Sequence, residues 1–144
     1  MLVHQILKSK SDDAVVTVPR GTLVSAAAEV LSQRRIGTVV VSDNGKTASG
    51  ILSERDIVRE IGRQGPDCLS QPVEALMTSS LQTCSRGDNA DDVLSRMTDG
   101  RFRHMPVLEE GEMVGLITLG DVVKARLSEL AMEKDALQDM IMGH

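Results

Sequence analysis

Two stretches of the sequence decide the fold, because the second nearly repeats the first. Residues 50–58 read GILSERDIV, and residues 115–123 read GLITLGDVV. In each stretch an apolar strand that begins with glycine leads into a helix, and a hydroxyl residue precedes an aspartate by three positions. These pairs are Ser53 with Asp56 and Thr118 with Asp121. A duplication that keeps a hydroxyl and a carboxylate at this spacing indicates two related small-molecule sites.

The similarity extends over the whole of both copies. Thr17 corresponds to Thr83 (83 − 17 = 66) and Gly50 to Gly115 (115 − 50 = 65), so the offset changes by one residue in an intervening turn. Self-similarity at a fixed period is typical of structural units that bury one another's faces. With only two units, we expect a pseudo-twofold pair rather than a solenoid.

Hydrophobic periodicity predicts the order β-α-β-β-α in each copy, and therefore a mixed α/β (α+β) fold. The predicted strands are 15–18, 38–41 and 48–52 in the first copy and 82–84, 105–108 and 113–118 in the second. The predicted helices are 25–35, 54–61, 90–98 and a last one from residue 120. A short helix or turn over 3–7 and a polar loop over 8–13 precede them. Pro106, which has no amide donor, is expected at a strand edge or where regular pairing breaks.

The same pattern predicts a C-terminal helical extension. The expected boundaries are 1–66 for the first unit with its N-terminal segment, 67–80 for a linker with a short helix, 81–127 for the second unit and 128–144 for the extension. A heptad-like stripe runs into the extension through Leu127, Leu130, Lys134, Leu137 and Ile141. Two interpretations stay open: this helix packs back on its own domain, or it forms a contact between subunits.

Composition limits the class of protein. The 144 residues are 41% apolar and 26% charged, as in an ordinary globular domain. A formal net charge of −5 without a cluster of Lys and Arg argues against nucleic-acid binding. Apolar runs are far shorter than the ~18–20 residues of a membrane span, and the first residues lack the order of a signal peptide. Cys68 and Cys84 show neither a disulfide framework nor metal spacing, so we expect reduced thiols in a cytoplasmic protein.

The spacing of hydroxyl and acid has two explanations. The first is a capping box, in which a Ser or Thr at the N-cap accepts from the N3 amide while an acid at N3 accepts from the cap amide. The second is functional, because a carboxylate at a helix start can accept both hydroxyls of a ribose, and the helix amides suit a phosphate. Both explanations stay open from the residues alone.

Basic residues near the two junctions favour a phosphate-bearing ligand. Arg55 stands beside Asp56 and can bind a phosphate through two hydrogen bonds. The second junction has Gly120 at this position, so its positive charge must come from elsewhere, and Arg103 and His104 are the obvious suppliers. Phe102 is the only aromatic residue, so a bound base would be held by aliphatic side chains and backbone groups.

Together these features resemble a tandem pair of CBS domains over residues 17–127. The resemblance is carried by the two Gly-x-x-Ser/Thr-x-x-Asp junctions, the run RHMPV at 103–107 and the apolar linker element at 73–78. It implies two β-α-β-β-α units packed sheet to sheet, and a regulatory module like those of small stand-alone bacterial CBS proteins. Such pairs commonly form homodimers and bind adenosine derivatives: AMP, ADP, ATP, NAD or S-adenosylmethionine.

The resemblance also implies two ligand clefts, each lined by residues from both copies. In each cleft the Asp would bind the ribose, the hydroxyl and basic residues would bind the phosphate, and strand backbone would contact the adenine. The cleft under Asp121 would be lined by Thr17, Ile36, Gly37, Thr38, Thr118, Gly120 and Asp121. The cleft under Asp56 would be lined by Ser53, Arg55, Asp56, Thr83, Phe102, Arg103 and His104. Asp88 stands where the first copy has Thr22, and it would repel a polyphosphate near the cleft under Asp56.

The leading hypothesis is a non-catalytic, energy-sensing module that binds an adenine nucleotide or NAD(H) and signals by a conformational or oligomeric change, with a protein effector as a further partner. The alternative is a structural protein-interaction module with vestigial ligand sites. An enzyme is disfavoured, because the sequence has neither a nucleophile elbow nor a phosphate loop nor a Rossmann glycine pattern. Its three histidines, His4, His104 and His144, show no metal spacing with the cysteines. We therefore expect no catalytic cofactor and no metal.

Overall fold

The computed structural model describes residues 1–10 and 14–143. Its helices are α1 (Val3–Ser9), α2 (Val24–Arg34), α3 (Glu54–Gln64), α4 (Ala90–Gly100) and α5 (Leu119–Met142). Its strands are β1 (Thr17–Val18), β2 (Thr38–Val41), β3 (Gly50–Ser53), β4 (Cys84–Ser85), β5 (His104–Glu109) and β6 (Glu112–Thr118). Two short 3-10 helices, Pro66–Ser70 and Val73–Ala75, lie between α3 and β4. The predicted order is confirmed, but α1 continues to Ser9, so residues 8 and 9 are helical where a loop was predicted. Residues 11–13 of that predicted loop, and His144, lie outside the described residues.

The six strands form two three-stranded sheets, in the orders β1-β2-β3 and β4-β5-β6. In the first sheet β1 runs parallel to β2, and β2 runs antiparallel to β3. The register places Thr38 opposite Ser53 and Val41 opposite Gly50. In the second sheet β4 runs parallel to β5. Helices and strands alternate in each copy, so the expected mixed α/β class is confirmed.

The structure differs from the predicted strands in several places, and β4 is Cys84–Ser85 rather than 82–84. β1 is shorter, although the Val16 carbonyl still accepts from the Val40 amide at 3.0 Å. β3 begins at Gly50 rather than at residue 48. Pro106 lies in β5, which is the central strand of its sheet and not an edge. β4 pairs with Val107 and Leu108 of β5, so this pairing begins immediately after Pro106, which has no amide donor.

The chain divides into two compact units. The first unit contains residues 14–82 and 110–114, and the second contains residues 1–10, 83–109 and 115–143. The core of the first unit consists of aliphatic side chains from its strands and helices: Val18, Val24, Ala27, Leu31, Val39, Val41, Leu52, Ile57, Val73 and Leu76. All four residues of β2 are buried, as expected for a central strand covered on both faces. In the second unit, α1 and α4 both pack against α5.

The first unit is completed by the segment that follows α3. The Val24 amide donates to the Gln71 carbonyl at 2.9 Å, and the Val73 amide donates to the Thr22 carbonyl at 2.8 Å. Ile51 and Thr78 exchange two backbone hydrogen bonds of 2.9 Å. This segment therefore covers both the start of α2 and the strand β3.

The second unit is completed in the same way by the N-terminal segment. The Val3 amide donates to the Asp88 carbonyl at 2.9 Å, and the Ala90 amide donates to the Met1 carbonyl at 2.9 Å. Although α1 precedes the first copy in the sequence, it belongs to the second unit. The segment that precedes each copy in the sequence therefore completes the unit formed by the other copy.

The glycine that opens each decisive stretch lies against its completing segment. A Cβ atom on Gly50 would meet the Met77 side chain and lie 3.0 Å from the Thr78 carbonyl oxygen. A Cβ atom on Gly115 would lie 3.0 Å from both Cδ atoms of Leu7. Glycine at these positions permits the close approach of a neighbouring segment, which is one of its established uses in strands.

The exposure of the apolar stripe on α5 excludes one of the two interpretations that the sequence left open. Val122 and Ala125, near the start of α5, are buried, but Leu127, Leu137 and Ile141 are exposed. The stripe therefore does not pack on the chain's own domain, because its leucines lie on a different face of α5 from the buried Val122 and Ala125.

We predict that Gly50→Ala lowers the free energy of unfolding by about 1–3 kcal/mol, because the new methyl group overpacks the contact with Met77 and Thr78. Gly62→Ala is the matched control, since Gly62 lies in α3 with no atom within 4 Å of its Cβ position. This control should gain about 0.5–1 kcal/mol from helix propensity. Urea denaturation of both variants measures the difference, and equal stabilities would contradict the close approach.

Candidate functional site

The first junction is a complete capping box at the start of α3. The Asp56 amide donates to Ser53 Oγ at 3.2 Å, and the Ser53 amide donates to Asp56 Oδ2 at 2.9 Å. Ser53 Oγ also donates to Asp56 Oδ2 at 3.0 Å. The other carboxylate oxygen, Oδ1, accepts from Arg59 Nη2 at 3.0 Å. Asp56 is thus buried and held in one orientation at the positive end of the helix dipole.

The second junction repeats the box at the start of α5. The Asp121 amide donates to Thr118 Oγ1 at 3.1 Å, and the Thr118 amide donates to Asp121 Oδ2 at 3.0 Å. The structural explanation of the repeated spacing is therefore confirmed in both copies. A capping box does not exclude a ligand, because each carboxylate still has acceptor positions beyond those that the cap uses.

Lys10 is a residue of the second junction that the sequence analysis missed. Its Nζ lies 2.9 Å from Asp121 Oδ2 and donates to the Leu116 carbonyl at 3.1 Å. The expected suppliers of positive charge were Arg103 and His104. The Arg103 carbonyl does accept from the Leu119 amide at 2.8 Å, but the Arg103 side chain is exposed. Lys10 stands 111 residues before Asp121 (121 − 10 = 111), so no local spacing connects the two.

Each junction also contacts the strand entry of its own copy. The Glu54 amide donates to the Gly37 carbonyl at 2.9 Å, and Thr38 pairs with Ser53 in the sheet. A Cβ atom on Gly37 would lie 3.4 Å from Glu54 Oε1. The Leu119–Arg103 bond is the counterpart in the second copy. The structure thus brings Gly37 and Thr38 to the Asp56 junction, and Arg103 to the Asp121 junction. The grouping of these residues across copies around a ligand stays a prediction.

The remaining residues expected at the sites lie on several elements. Thr17 is on β1, where it pairs with Val40, and the Ile36 amide donates to the Leu31 carbonyl at 3.1 Å. Thr83 lies before β4, and its carbonyl accepts from Arg96 Nη2 at 2.8 Å. Phe102 follows α4, and its ring lies beside Gly100. The last three lie at the start of an element: His104 in β5, Gly120 in the first turn of α5 and Arg55 in the first turn of α3.

The first turns of α3 carry an open groove of about 420 Å³, lined by Glu54, Arg55, Val58 and Arg59. The two guanidinium groups share this surface with the Glu54 carboxylate, and Arg59 is paired with Asp56 at 3.0 Å and with Glu60 at 3.5 Å. The hydrogen bond from Gln64, together with Arg63 and Arg59, holds the pKa of the neighbouring Glu60 carboxyl below its ordinary value. An anionic group bound in the groove would contact Arg55 and would compete with Asp56 and Glu60 for Arg59.

Asp88 has a local role in the second unit. It accepts from the Ser85 amide at 2.9 Å and from Ser85 Oγ at 3.1 Å, which closes the turn before α4. Burial raises the pKa of the nearby Cys84 thiol to about 11, and the Asp88 charge adds to the effect. Cys84 and Cys68 are both buried, and neither is in a disulfide bond.

Among residues 1–10 and 14–143, no group of three or more His, Cys, Asp or Glu side chains could hold a metal ion. In the same residues, no helix is long and apolar enough to cross a membrane.

Comparison with known proteins identifies the family. The CBS domain model matches residues 7–63 and 73–128, which is most of the chain. The chain belongs to the CBS-domain family. CBS domains are generally regulatory, non-catalytic modules. The mitochondrial CBS domain-containing protein CBSX3 of Arabidopsis thaliana is 31% identical over 148 residues, and the match covers 98% of this chain and 72% of that protein.

Solved structures share the fold of this CBS pair. A CBS-domain containing protein from Agrobacterium tumefaciens superposes with a TM-score of 0.82 at 40% identity, covering 88% of this chain and 99% of its own. A CBS domain protein from Pyrobaculum aerophilum, solved in complex with AMP, superposes with a TM-score of 0.76 at 26% identity, covering 92% of this chain and 99% of its own. The tandem CBS fold expected from the junctions is therefore confirmed.

We predict that Ser53→Ala and Thr118→Ala each lower the free energy of unfolding by about 1 kcal/mol, because each removes the acceptor of one N3 amide. Ser95→Ala is the control, since Ser95 is exposed in the interior of α4 and caps no helix. The same substitution there should be neutral or slightly stabilising. Chemical denaturation measures all three, and a loss at Ser95 equal to that at Ser53 would contradict the capping role.

Proposed function

We propose that this CBS pair is a non-catalytic sensor that binds an adenine nucleotide or NAD(H) and reports by a change of conformation or oligomeric state. The observation that carries the proposal is the duplicated carboxylate, fixed at a helix start with a cation beside it in both copies. Arg59 accompanies Asp56 at 3.0 Å, and Lys10 accompanies Asp121 at 2.9 Å. The AMP complex of the Pyrobaculum relative supports this ligand class.

The ribose of such a ligand is the partner of the carboxylates. An ionised carboxylate has about four acceptor positions, and a vicinal diol needs two of them. Within the described residues, donors occupy three positions at Asp56, namely the Ser53 amide, Ser53 Oγ and Arg59 Nη2. Within the same residues they occupy two at Asp121, namely the Thr118 amide and Lys10 Nζ. Asp121 can therefore accept a diol without losing a contact, whereas Asp56 must first release one.

The unequal number of occupied positions predicts an order of binding. At Asp56, Arg59 is the most readily displaced partner, because its side chain is 55% exposed. The side chain of Asp121 is itself 21% exposed, against 11% for Asp56. We therefore propose that the site at Asp121 is occupied first.

The cations give the sites their preference for phosphate. Lys10 donates to Asp121 and to the Leu116 carbonyl, which leaves one of its three ammonium protons for a ligand oxygen. Arg55 and Arg59 line the groove at the start of α3. The positive end of each helix dipole adds to the attraction. A nucleotide should consequently bind more tightly than the neutral nucleoside.

We assign ligand contacts to Lys10 and to the fourteen residues expected from the sequence: Thr17, Ile36, Gly37, Thr38, Ser53, Arg55, Asp56, Thr83, Phe102, Arg103, His104, Thr118, Gly120 and Asp121. Backbone groups and aliphatic side chains would hold the adenine. A ligand that binds one conformation more tightly shifts the population toward it, and this shift is the signal. A cytoplasmic location and an unidentified protein effector belong to the same proposal.

A structural interaction module is the second candidate, and one observation favours it. Both capping boxes are closed, so the repeated hydroxyl and aspartate have a role in stability that needs no ligand. In that case the junctions would bind no nucleotide, and their substitution would change only the stability.

We predict that one or more of AMP, ADP, ATP, NAD, NADH and S-adenosylmethionine stabilises the protein by about 2.7 kcal/mol at roughly 100 times the dissociation constant. Asp121→Asn should weaken this binding by about tenfold or more, because it removes an acceptor of the diol, and Asp56→Asn should weaken it less. Thermal shift followed by titration calorimetry measures both effects.

Two controls separate binding from capping. Asn89→Ala removes the side-chain cap of α4, a helix start to which no ligand contact is assigned, so it should cost stability but no affinity. Adenosine, which lacks phosphate, should bind more weakly than AMP. A flat response to all six compounds with ligand-free protein would favour the interaction module, and adenosine binding as tightly as AMP would contradict the role of the cations.

A further inference from the structure

Helix α5 carries an apolar stripe that its own chain leaves uncovered. The stripe consists of Val123, Leu127, Leu130, Leu137 and Ile141, which are 40%, 63%, 47%, 59% and 85% exposed. Val122 and Ala125, which are buried, lie on a different face of the same helix. The stripe is long, because residues 123 to 141 span about 27 Å at 1.5 Å per residue. An apolar face of this extent is typical of a protein–protein contact.

The spacing of the stripe is that of a heptad seam. With Leu127 at position a, the other a positions are Lys134 and Ile141, and the d positions are Val123, Leu130 and Leu137. The last heptad, with Leu137 at d and Ile141 at a, has the combination that favours two-stranded coiled coils, and a single lysine at a sets register and oligomeric state. The stripe therefore has the pattern of a short two-stranded coiled coil with one polar layer.

We propose that a second copy of this chain covers the stripe, with the two α5 helices parallel and in register. In such a pair each g residue lies beside the a residue that follows it on the other helix. Glu133 is at position g, immediately before Lys134. The Lys134 ammonium of each copy would then lie beside the partner's Glu133, which neutralises the only polar layer of the seam.

The charges on α5 favour this orientation over the antiparallel one. An antiparallel pair aligned over the whole stripe would place the Lys134 of each copy opposite the partner's Leu130, so two layers of the seam would each bury a lysine. Asp135 and Asp139 occupy positions b and f, away from the seam, and do not oppose a parallel pair. Glu129, at position c, is held within its own chain by Arg126 at 3.1 Å. The parallel arrangement thus gathers both lysines into one layer, each beside the partner's Glu133.

Cysteine cross-linking tests the arrangement in the full chain. In a parallel, in-register pair the two d residues of one layer face each other within reach of a disulfide, so Leu137→Cys should form a covalent dimer under mild oxidation. Asp139→Cys is the control, because position f of the same turn points away from the seam. Native Cys68 and Cys84 are buried and should not contribute. Equal cross-linking at both positions, or none at 137, would overturn the proposal.

A charge exchange tests the polar layer, with sedimentation as the measurement. Lys134→Glu should lose the dimer, because it places a second acid beside the partner's Glu133. The double variant Glu133→Lys, Lys134→Glu should restore it, since the pair is then reversed. Both positions are exposed, so neither variant should unfold the chain. A wild-type chain that stays monomeric at every concentration overturns the proposal and leaves the stripe to another protein. A dimer unchanged by Lys134→Glu overturns it as well.

Discussion

The close approach of a completing segment to a glycine is the contact on which both junctions depend. Gly50 and Gly115 open β3 and the second half of β6, and each lies against a side chain from a segment outside its own copy, Met77 or Leu7. Three residues later each strand ends at the hydroxyl that caps the next helix. A side chain at either glycine would push the segment away from the strand. The position of the carboxylate is therefore set by the packing of the glycine, which stands three residues before the N-cap residue.

The same hydrogen bonds start the helix and orient the candidate receptor. Ser53 and Thr118 hold the aspartates by their amides at 2.9 and 3.0 Å, so the carboxylates are pre-organised before any ligand arrives. Pre-organisation reduces the conformational entropy that binding must overcome. It also couples stability to binding, since a variant of the aspartate changes both.

Local patterns in the sequence predicted the features that depend on neighbouring residues. The order of elements, the two capping boxes and the family follow from spacings of three or four residues and from one repeat. The sequence did not reveal the contact between Lys10 and Asp121, or the packing of Leu7 on Gly115, because these residues stand more than a hundred positions apart. It predicted the stripe on α5 but left two interpretations. The exposure of Leu127, Leu137 and Ile141 excludes packing on the chain's own domain, and the contact between subunits stays a prediction.

Hydrogen–deuterium exchange with and without AMP tests the central claim most directly, because it reports on the amides that form each box. The account predicts slower exchange at residues 118–121, followed at higher AMP concentration by residues 53–56. This order follows from the greater number of acceptor positions left at Asp121. Bound AMP that slows exchange only elsewhere in the chain, and leaves both helix starts unchanged, would contradict the assignment of the junctions as the nucleotide sites.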